Sequence, residues 1–181
     1  MEYKSVNKMF EKAFRDNWDC MALSNYKGTT IFYRDLAERI AKIHILFDHC
    51  GLKQGDKVAI CGRNQVNWAV SFLATMTYGA VPVPLLHEFK PGNIHHLVTH
   101  SEAKILFVDP TVWEGLSESE MPDLQAITRS DTFRLIYATN EQITYAREHL
   151  NSLFGEKYPE SFGPESLNYY EDSPNELAHI N

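Results

Sequence analysis

Cysteine is scarce in this sequence: Cys20, Cys50 and Cys61 are the only three among 181 residues. An odd number without C-x-x-C spacing argues against a disulfide scaffold and suits a reducing compartment. Basic residues are also in deficit, 17 against 24 acidic for a net charge of −7. With no basic stripe, nucleic-acid binding is not expected. Residues 1–17 are charged throughout, so no secretory signal is read there. Neither G-x-G-x-x-G nor G-x-x-x-x-G-K-[ST] occurs, and there is no G-x-S-x-G nucleophile elbow. A membrane span is missing too. Gln65–Leu86 holds no Asp, Glu, Lys or Arg and is long enough for a bilayer of about 30 Å. Gly79, Pro82 and Pro84 split it, and Asn67, Ser71, Thr75 and Thr77 add polar cost. A buried helix followed by a buried strand is the better reading.

What is present is ordinary globular material, 44% apolar and 12% aromatic, enough for one core with a small appendage. Ser5 predicts an N-cap, with Val6, Met9, Phe10, Ala13 and Phe14 on one helical stripe. Asn25-Tyr26-Lys27-Gly28 signals a turn before the β-formers Thr29–Tyr33. A long helix is expected from Arg34 to Cys50, with Leu36, Ile40, Ile43, Phe47 and Cys50 inward and Gly51 at its end. Strands are expected at Lys57–Cys61, Val81–Leu85, Lys104–Val108, Leu124–Ile127 and Phe133–Tyr137. Helices are expected at Val66–Tyr78, from Pro91 with Ile94, Leu97 and Val98 inward, and over Asn140–Phe154. For that last helix Thr139 and Gln142 read as a capping box, with Ile143, Ala146, Leu150 and Leu153 on one face. This alternation predicts an α/β fold with a mainly parallel sheet flanked by helices. Residues 1–155 are expected to form the α/β part. Residues 156–175, rich in acid and proline, read as a surface connection. Residues 176–181 read as the start of a strand on which the chain is cut short.

The candidate chemical groups are few. In Cys61-Gly62-Arg63-Asn64 a glycine stands between a strand's carboxyl end and a helix, where open α/β sheets bind ligands. Arg63 there either meets an anion or lies in a tight turn that Asn64 closes as the helix cap. His96 and His100, at i and i+4 with His95 beside them, have a zinc-like spacing but no third ligand, and read as exposed helix residues. Cys61 reads as a small core residue rather than a nucleophile, and Glu118 and Glu120 as loop solvation. No catalytic, cofactor-binding or metal-binding residue is assigned from these patterns.

The ordered series is more specific than its parts. Gly55-Asp56-Lys57-Val58-Ala59-Ile60 is followed by Asn64 with Trp68. Gly79-Ala80-Val81-Pro82-Val83-Pro84-Leu85 comes next, then Ile94 with Ser101-Glu102-Ala103-Lys104. Preceded by Tyr33-Arg34-Asp35-Leu36-Ala37, the series resembles the N-terminal region of the adenylate-forming enzymes, which include acyl-CoA synthetases, peptide-synthetase adenylation domains and firefly luciferase. The likeness covers roughly residues 5–110. Gln65-Val66-Asn67 departs from the family's frequent Ser-Pro-Glu, and Leu86-His87 from its Asn/Asp-Pro. The resemblance implies the front part of an ATP-dependent acyl-CoA synthetase, of the long-chain fatty-acid type, cytoplasmic or peripheral to the membrane. Its implied substrates and cofactors are a carboxylic acid, ATP, Mg and CoA. In the family a segment like Asn175–Asn181 leads into a Ser/Thr/Gly-rich phosphate loop, which these residues lack. They are therefore expected to be catalytically silent alone, and to self-associate through uncovered apolar surface. The resemblance also places Leu86–Pro91, with His87 and Lys90, near the thiol-entry side. Two other readings stand beside this one: a luciferase-like or peptide-synthetase adenylating enzyme, and a non-catalytic α/β binding module.

Overall fold

The computed structural model describes residues 5–173, 175, 176, 178 and 180. Helix α1 (Val6–Asp16) opens the chain, and the Ser5 hydroxyl accepts from the Lys8 N–H at its start. A short antiparallel hairpin follows, β1 (Met21–Ser24) and β2 (Thr30–Phe32), turning at Asn25–Gly28. Strand β1 has no clear pattern in sequence and was not expected. Helix α2 (Tyr33–His49) starts where the Asp35 carboxylate accepts from the Phe32 N–H at 2.9 Å. It ends at Gly51, whose φ of +67° is a conformation glycine adopts at little cost.

The main unit then alternates: β3 (Lys57–Cys61), α3 (Val66–Tyr78), β4 (Val81–Leu85), α4 (Pro91–His100), β5 (Ala103–Val108) and the short α5 (Pro110–Trp113). It continues with β6 (Ala126–Arg129), β7 (Leu135–Ala138), α6 (Glu141–Glu148) and α7 (Leu150–Lys157). The sheet order is β4-β3-β5-β6-β7, parallel except for β7, which runs against β6. This is the expected α/β fold, and Gln65–Leu86 divides into α3 and β4 as read. No helix of the described residues is long and apolar enough to cross a membrane.

The sheet is covered on both faces, which explains why its central strands are apolar throughout. Val58, Ile60, Ile105 and Phe107 face α2 and α3, packing on Ile40, Phe47, Val70 and Ala74. Ala59, Cys61, Leu106 and Val108 face α4, packing on Ile94 and Val98. Helix α3 ends at Gly79 (φ +89°), with the Gly79 and Ala80 N–H groups donating back to Met76 and Thr75. A Cβ on Gly79 would lie 2.8 and 2.9 Å from Cγ and Cδ1 of Tyr170. Gly79→Ala is therefore both conformationally strained and crowded. It should lower unfolding free energy in urea by about 2 kcal/mol.

Several expectations need correction. The buried residues of α1 are Asn7, Glu11 and Phe14, while Val6 and Met9 of the apolar stripe are 45% and 42% exposed. The reason lies in the segment after α7, expected as a surface connection. Leu167 and Tyr169 from it enter the core, and its backbone and acids pair with α1. The Glu11 carboxylate accepts from the Tyr169 N–H at 2.7 Å. The Asp172 carboxylate accepts from the Ser5 hydroxyl (2.5 Å) and from the N–H groups of Val6 (3.1 Å) and Asn7 (2.8 Å). Those bonds hold the Asp172 carboxyl below the usual range, against the opposing effect of desolvation.

The expected Asn140–Phe154 helix is two helices broken at His149, and both pack on α2. Its cap is Asn140, whose side chain accepts from the Ile143 N–H, while Thr139 bonds Gln125 instead. The last two strands each begin two residues later than expected, and Phe133 turns at φ +54° just before β7. In the expected strand 176–181, Leu177, His179 and Asn181 lie outside the described residues.

Candidate functional site

In the order β4-β3-β5-β6-β7, the connection leaving β3 runs to β4 on one side and that leaving β5 runs to β6 on the other, so the two diverge. In open α/β sheets that point, at the carboxyl ends of the strands, is where ligands bind. Three strand ends meet there. The Asp109 N–H donates to the Cys61 carbonyl and the Ser130 N–H to the Val108 carbonyl, each at 2.9 Å. A Cβ on Gly62 would lie 3.5 Å from Asp109 Cβ and 3.7 Å from Ser130 Oγ, ordinary contact distances that make this a tightly joined floor.

Arg63 and Asn64 follow Gly62 and are exposed. Among the described residues, Arg63 has no hydrogen-bond or ion-pair partner, which leaves its guanidinium available at this edge. The expectation that Asn64 caps α3 fails. The N-cap is Gln65, without a side-chain bond, and the Val66 N–H donates to Asn25 Oδ1 at 2.8 Å. The hairpin thus closes the helix from 41 residues away. The Asn25 turn was visible in sequence, but its cap across the fold was not. Asn25→Ala should cost about 1 kcal/mol in thermal or urea unfolding, while Asn64→Ala should leave stability unchanged.

Asn67 joins two more segments. Its Nδ2 donates to the Asp131 carbonyl at 2.7 Å and its Oδ1 accepts from Arg39 Nη1 at 2.9 Å. Next to it, Arg129 donates to both oxygens of Asp131, from Nε at 3.0 Å and Nη2 at 2.7 Å. That bond is the main reason the Asp131 carboxyl is held down and the Arg129 guanidinium held up. Asp109 is engaged locally, accepting from the N–H (2.9 Å) and hydroxyl (2.8 Å) of Thr111.

Cys61 is fully buried, and desolvation, then the Asp109 charge, pushes its thiol up to about 12. It is a core residue, as read, and no nucleophile at neutral pH. Leu86–Pro91 leaves the adjacent strand end, with Leu86 exposed, His87 half-buried and Lys90 exposed. This loop therefore shares the carboxyl edge with Arg63. The histidines of α4 lie elsewhere. His96 and His100 stack with ring centroids 5.6 Å apart, and His95 Nε2 accepts from the Ser117 N–H at 3.1 Å. Glu118 and Glu120 form an exposed single turn.

Among the described residues no group of three or more His, Cys, Asp or Glu would hold a metal ion. The described residues form no glycine-rich cradle, and the first amide of α3 is already bonded to Asn25. These residues do not fit a triphosphate or its metal, and no chemical step is routed through them. Among the described residues, the edge offers the Arg63 guanidinium and a loop carrying exposed Lys90 beside a rigid floor.

The family model described as AMP-binding enzyme matches residues 10–174. Long chain acyl-CoA synthetase 5 of Arabidopsis thaliana is 28% identical over 92 residues, which are 51% of this chain and 13% of that protein. Polyketide synthase PksN of Bacillus subtilis (strain 168) is 21% identical over 145 residues, 80% of this chain and 3% of that protein. The chain thus spans a small part of the curated relatives it matches. Among solved structures, the anthranilate CoA ligase AuaEII in complex with anthranoyl-AMP superposes with a TM-score of 0.72 at 15% identity. That superposition covers 99% of this chain and 31% of the other. The fold is that of the N-terminal subdomain of adenylate-forming enzymes.

Proposed function

Because the chain belongs to the AMP-binding enzyme family, we propose that it is the front part of a ligase that activates a carboxylic acid with ATP and passes the acyl group to CoA. A carboxylate is a poor electrophile. Joining it to AMP, with release of pyrophosphate, supplies a leaving group that a thiol displaces to give a thioester. The observation that carries this reading is the family match over residues 10–174, which spans the ordered motif series from Gly55 to Lys104. A fatty acid is the proposed acid, supported by the likeness to a plant long-chain acyl-CoA synthetase. Residues 1–155 would form the partial α/β subdomain, with 156–175 strapped across it and 176–181 leading toward the phosphate-binding part. The setting would be cytoplasmic, with peripheral membrane contact to collect the acid.

A peptide-synthetase type of adenylating enzyme is the second reading, favoured by the alignment to PksN over 80% of this chain. The two separate on the product. The longer protein, given ATP, Mg, CoA and a panel of fatty and amino acids, should yield fatty acyl-CoA by mass spectrometry. Aminoacyl adenylate without a CoA thioester would favour the second reading and overturn the first. The 181 residues alone, having no triphosphate cradle among those described, should give neither.

The loop at the end of β4 supplies a finer expectation. If His87 and Lys90 face the incoming thiol substrate, their joint replacement by alanine in the longer protein removes exposed polar contacts. The KM for CoA should then rise about fivefold, equivalent to about 1 kcal/mol, with kcat little altered. Unchanged CoA kinetics would remove this loop from the thiol path.

A further inference from the structure

Buried side-chain acceptors are paired in most folded proteins, and an exception marks a place where the bond is made to something else. Asn7 on α1 is such an exception. It is 2% exposed, and its Nδ2 donates to the Met76 carbonyl at 2.8 Å. Its Oδ1 is buried and, among the described residues, has no partner. Asn7 stands in the wall of a cavity of about 190 Å³ between α1, the end of α3 and the segment that follows α7. That segment brings Asp172 and Glu176 to the same wall, which carries two carboxylates and, among the described residues, no Lys, Arg or His. Donors there are already engaged. The Tyr170 hydroxyl donates to Glu176 Oε1 at 3.1 Å, and the Gly79 and Ala80 N–H groups close α3. Acceptors are left over. Val6, Met76 and the Tyr170 ring, which sits over Gly79, supply the apolar part of the wall.

We propose that this cavity binds a primary ammonium on a short alkyl chain, its N–H groups toward Asn7 Oδ1 and the carboxylates, its carbons against Val6, Met76 and Tyr170. Polarity, charge and shape each narrow the class. A surplus of acceptors calls for a donor, and an anionic wall without a cation favours a charged one. Asp172 already accepts from Ser5, Val6 and Asn7, so it contributes mainly charge. A divalent metal wants about six oxygen ligands. Among the described residues no group of three or more His, Cys, Asp or Glu stands together to begin such a set. A quaternary ammonium would suit the charge and the aromatic ring, but it has no hydrogen for Oδ1. A neutral alcohol has that hydrogen and leaves the carboxylates uncompensated. An alkylammonium meets all three demands. At about 30 Å³ for each water-sized group, the space holds about six of them, enough for a three-carbon amine and a water. The inference needs only α1, the end of α3 and the segment after α7, and does not rest on the ligase reading.

Titration of the 181-residue chain with propylammonium chloride at constant ionic strength, followed by amide NMR, tests the site. Saturable shifts centred on Val6, Asn7, Gly79 and Ala80 are expected, with a Kd of about 1 mM. Tetramethylammonium and propanol should each bind at least about tenfold more weakly. Asn7→Leu, which removes the acceptor, should weaken propylammonium at least about tenfold. Glu176→Gln, at an exposed and therefore screened position, should weaken it about threefold. If Asn7→Leu does not fold, Glu176→Gln and the two control ligands decide. Tighter binding of Nα-acetyl-lysine methylamide than of propylammonium would identify a protein lysine as the occupant, and weaker binding a free amine. The absence of saturable shifts, equal shifts with tetramethylammonium, or an affinity that neither variant moves would overturn the site and leave Asn7 Oδ1 to water.

Discussion

Glu11→Ala is expected to lower the unfolding free energy by about 3 kcal/mol, or roughly 10 °C in melting temperature. Glu11 is a helix residue that is 6% exposed. Its carboxylate accepts from the buried Tyr169 N–H at 2.7 Å and meets Lys8 Nζ at 3.0 Å and Arg15 Nη2 at 2.9 Å. Lys8 and Arg15 keep about a third of their side-chain surface in water, so losing their partner costs them little. The cost falls on the Tyr169 N–H, left without an acceptor in a packed interior. Glu11→Gln keeps an acceptor oxygen and should lose about 1 kcal/mol, because only the charge is removed. Equal losses for the two variants in urea titrations would mean that the ion pairs, not the backbone bond, hold the strap to α1.

Stability should also fall as pH drops from about 6.5 to about 4, by up to about 3 kcal/mol. The group responsible is His44 on α2. Its Nε2 lies 2.9 Å from the Ala74 carbonyl and 3.2 Å from Thr77 Oγ1. The rings of Phe47, Tyr78 and Tyr169 lie 5.3 to 6.5 Å from its own. The residue is half-buried, but desolvation among these rings pushes its pKa down to about 4 against the bond to Ala74, which favours the charge. The imidazole is therefore neutral in the fold, whereas the unfolded chain protonates below about 6.5. Over that interval the unfolded state binds the extra proton, so stability is full above it and declines toward acid. Below the interval, Asp131 and Asp172, whose pKa values the fold depresses, add a further loss as they protonate. His44→Gln should flatten the dependence between pH 6.5 and 4 in urea midpoints. A slope unchanged by that substitution would assign the effect to other groups.

The central elements were legible because their patterns are local. The bounds of α3 and β4 follow from an uncharged run broken by Gly79, and β3 and β5 from apolar runs buried on both faces. The family series rests on the same stretch. Illegible features depend on partners far along the chain. Glu11 turns inward because the Tyr169 backbone, 158 residues later, satisfies it, and Asn7 because its Nδ2 donates to the Met76 carbonyl, 69 residues away. An amphipathic reading alone puts Val6 and Met9 there instead. Asn25 closes α3 across the fold, displacing the nearer Asn64. At the candidate site, the glycine and Arg63 were readable from the strand-to-helix junction. The bridge from Arg39 through Asn67 to Asp131 was not, because it joins three elements through one amide.

Acid-dependent exchange of labelled pyrophosphate into ATP by the longer protein tests the proposed chemistry most directly. A rate that rises with added fatty acid and is absent without it is the predicted result, since formation of acyl-AMP is reversible. ATP consumed to ADP and phosphate, or no exchange with any carboxylic acid, would contradict it.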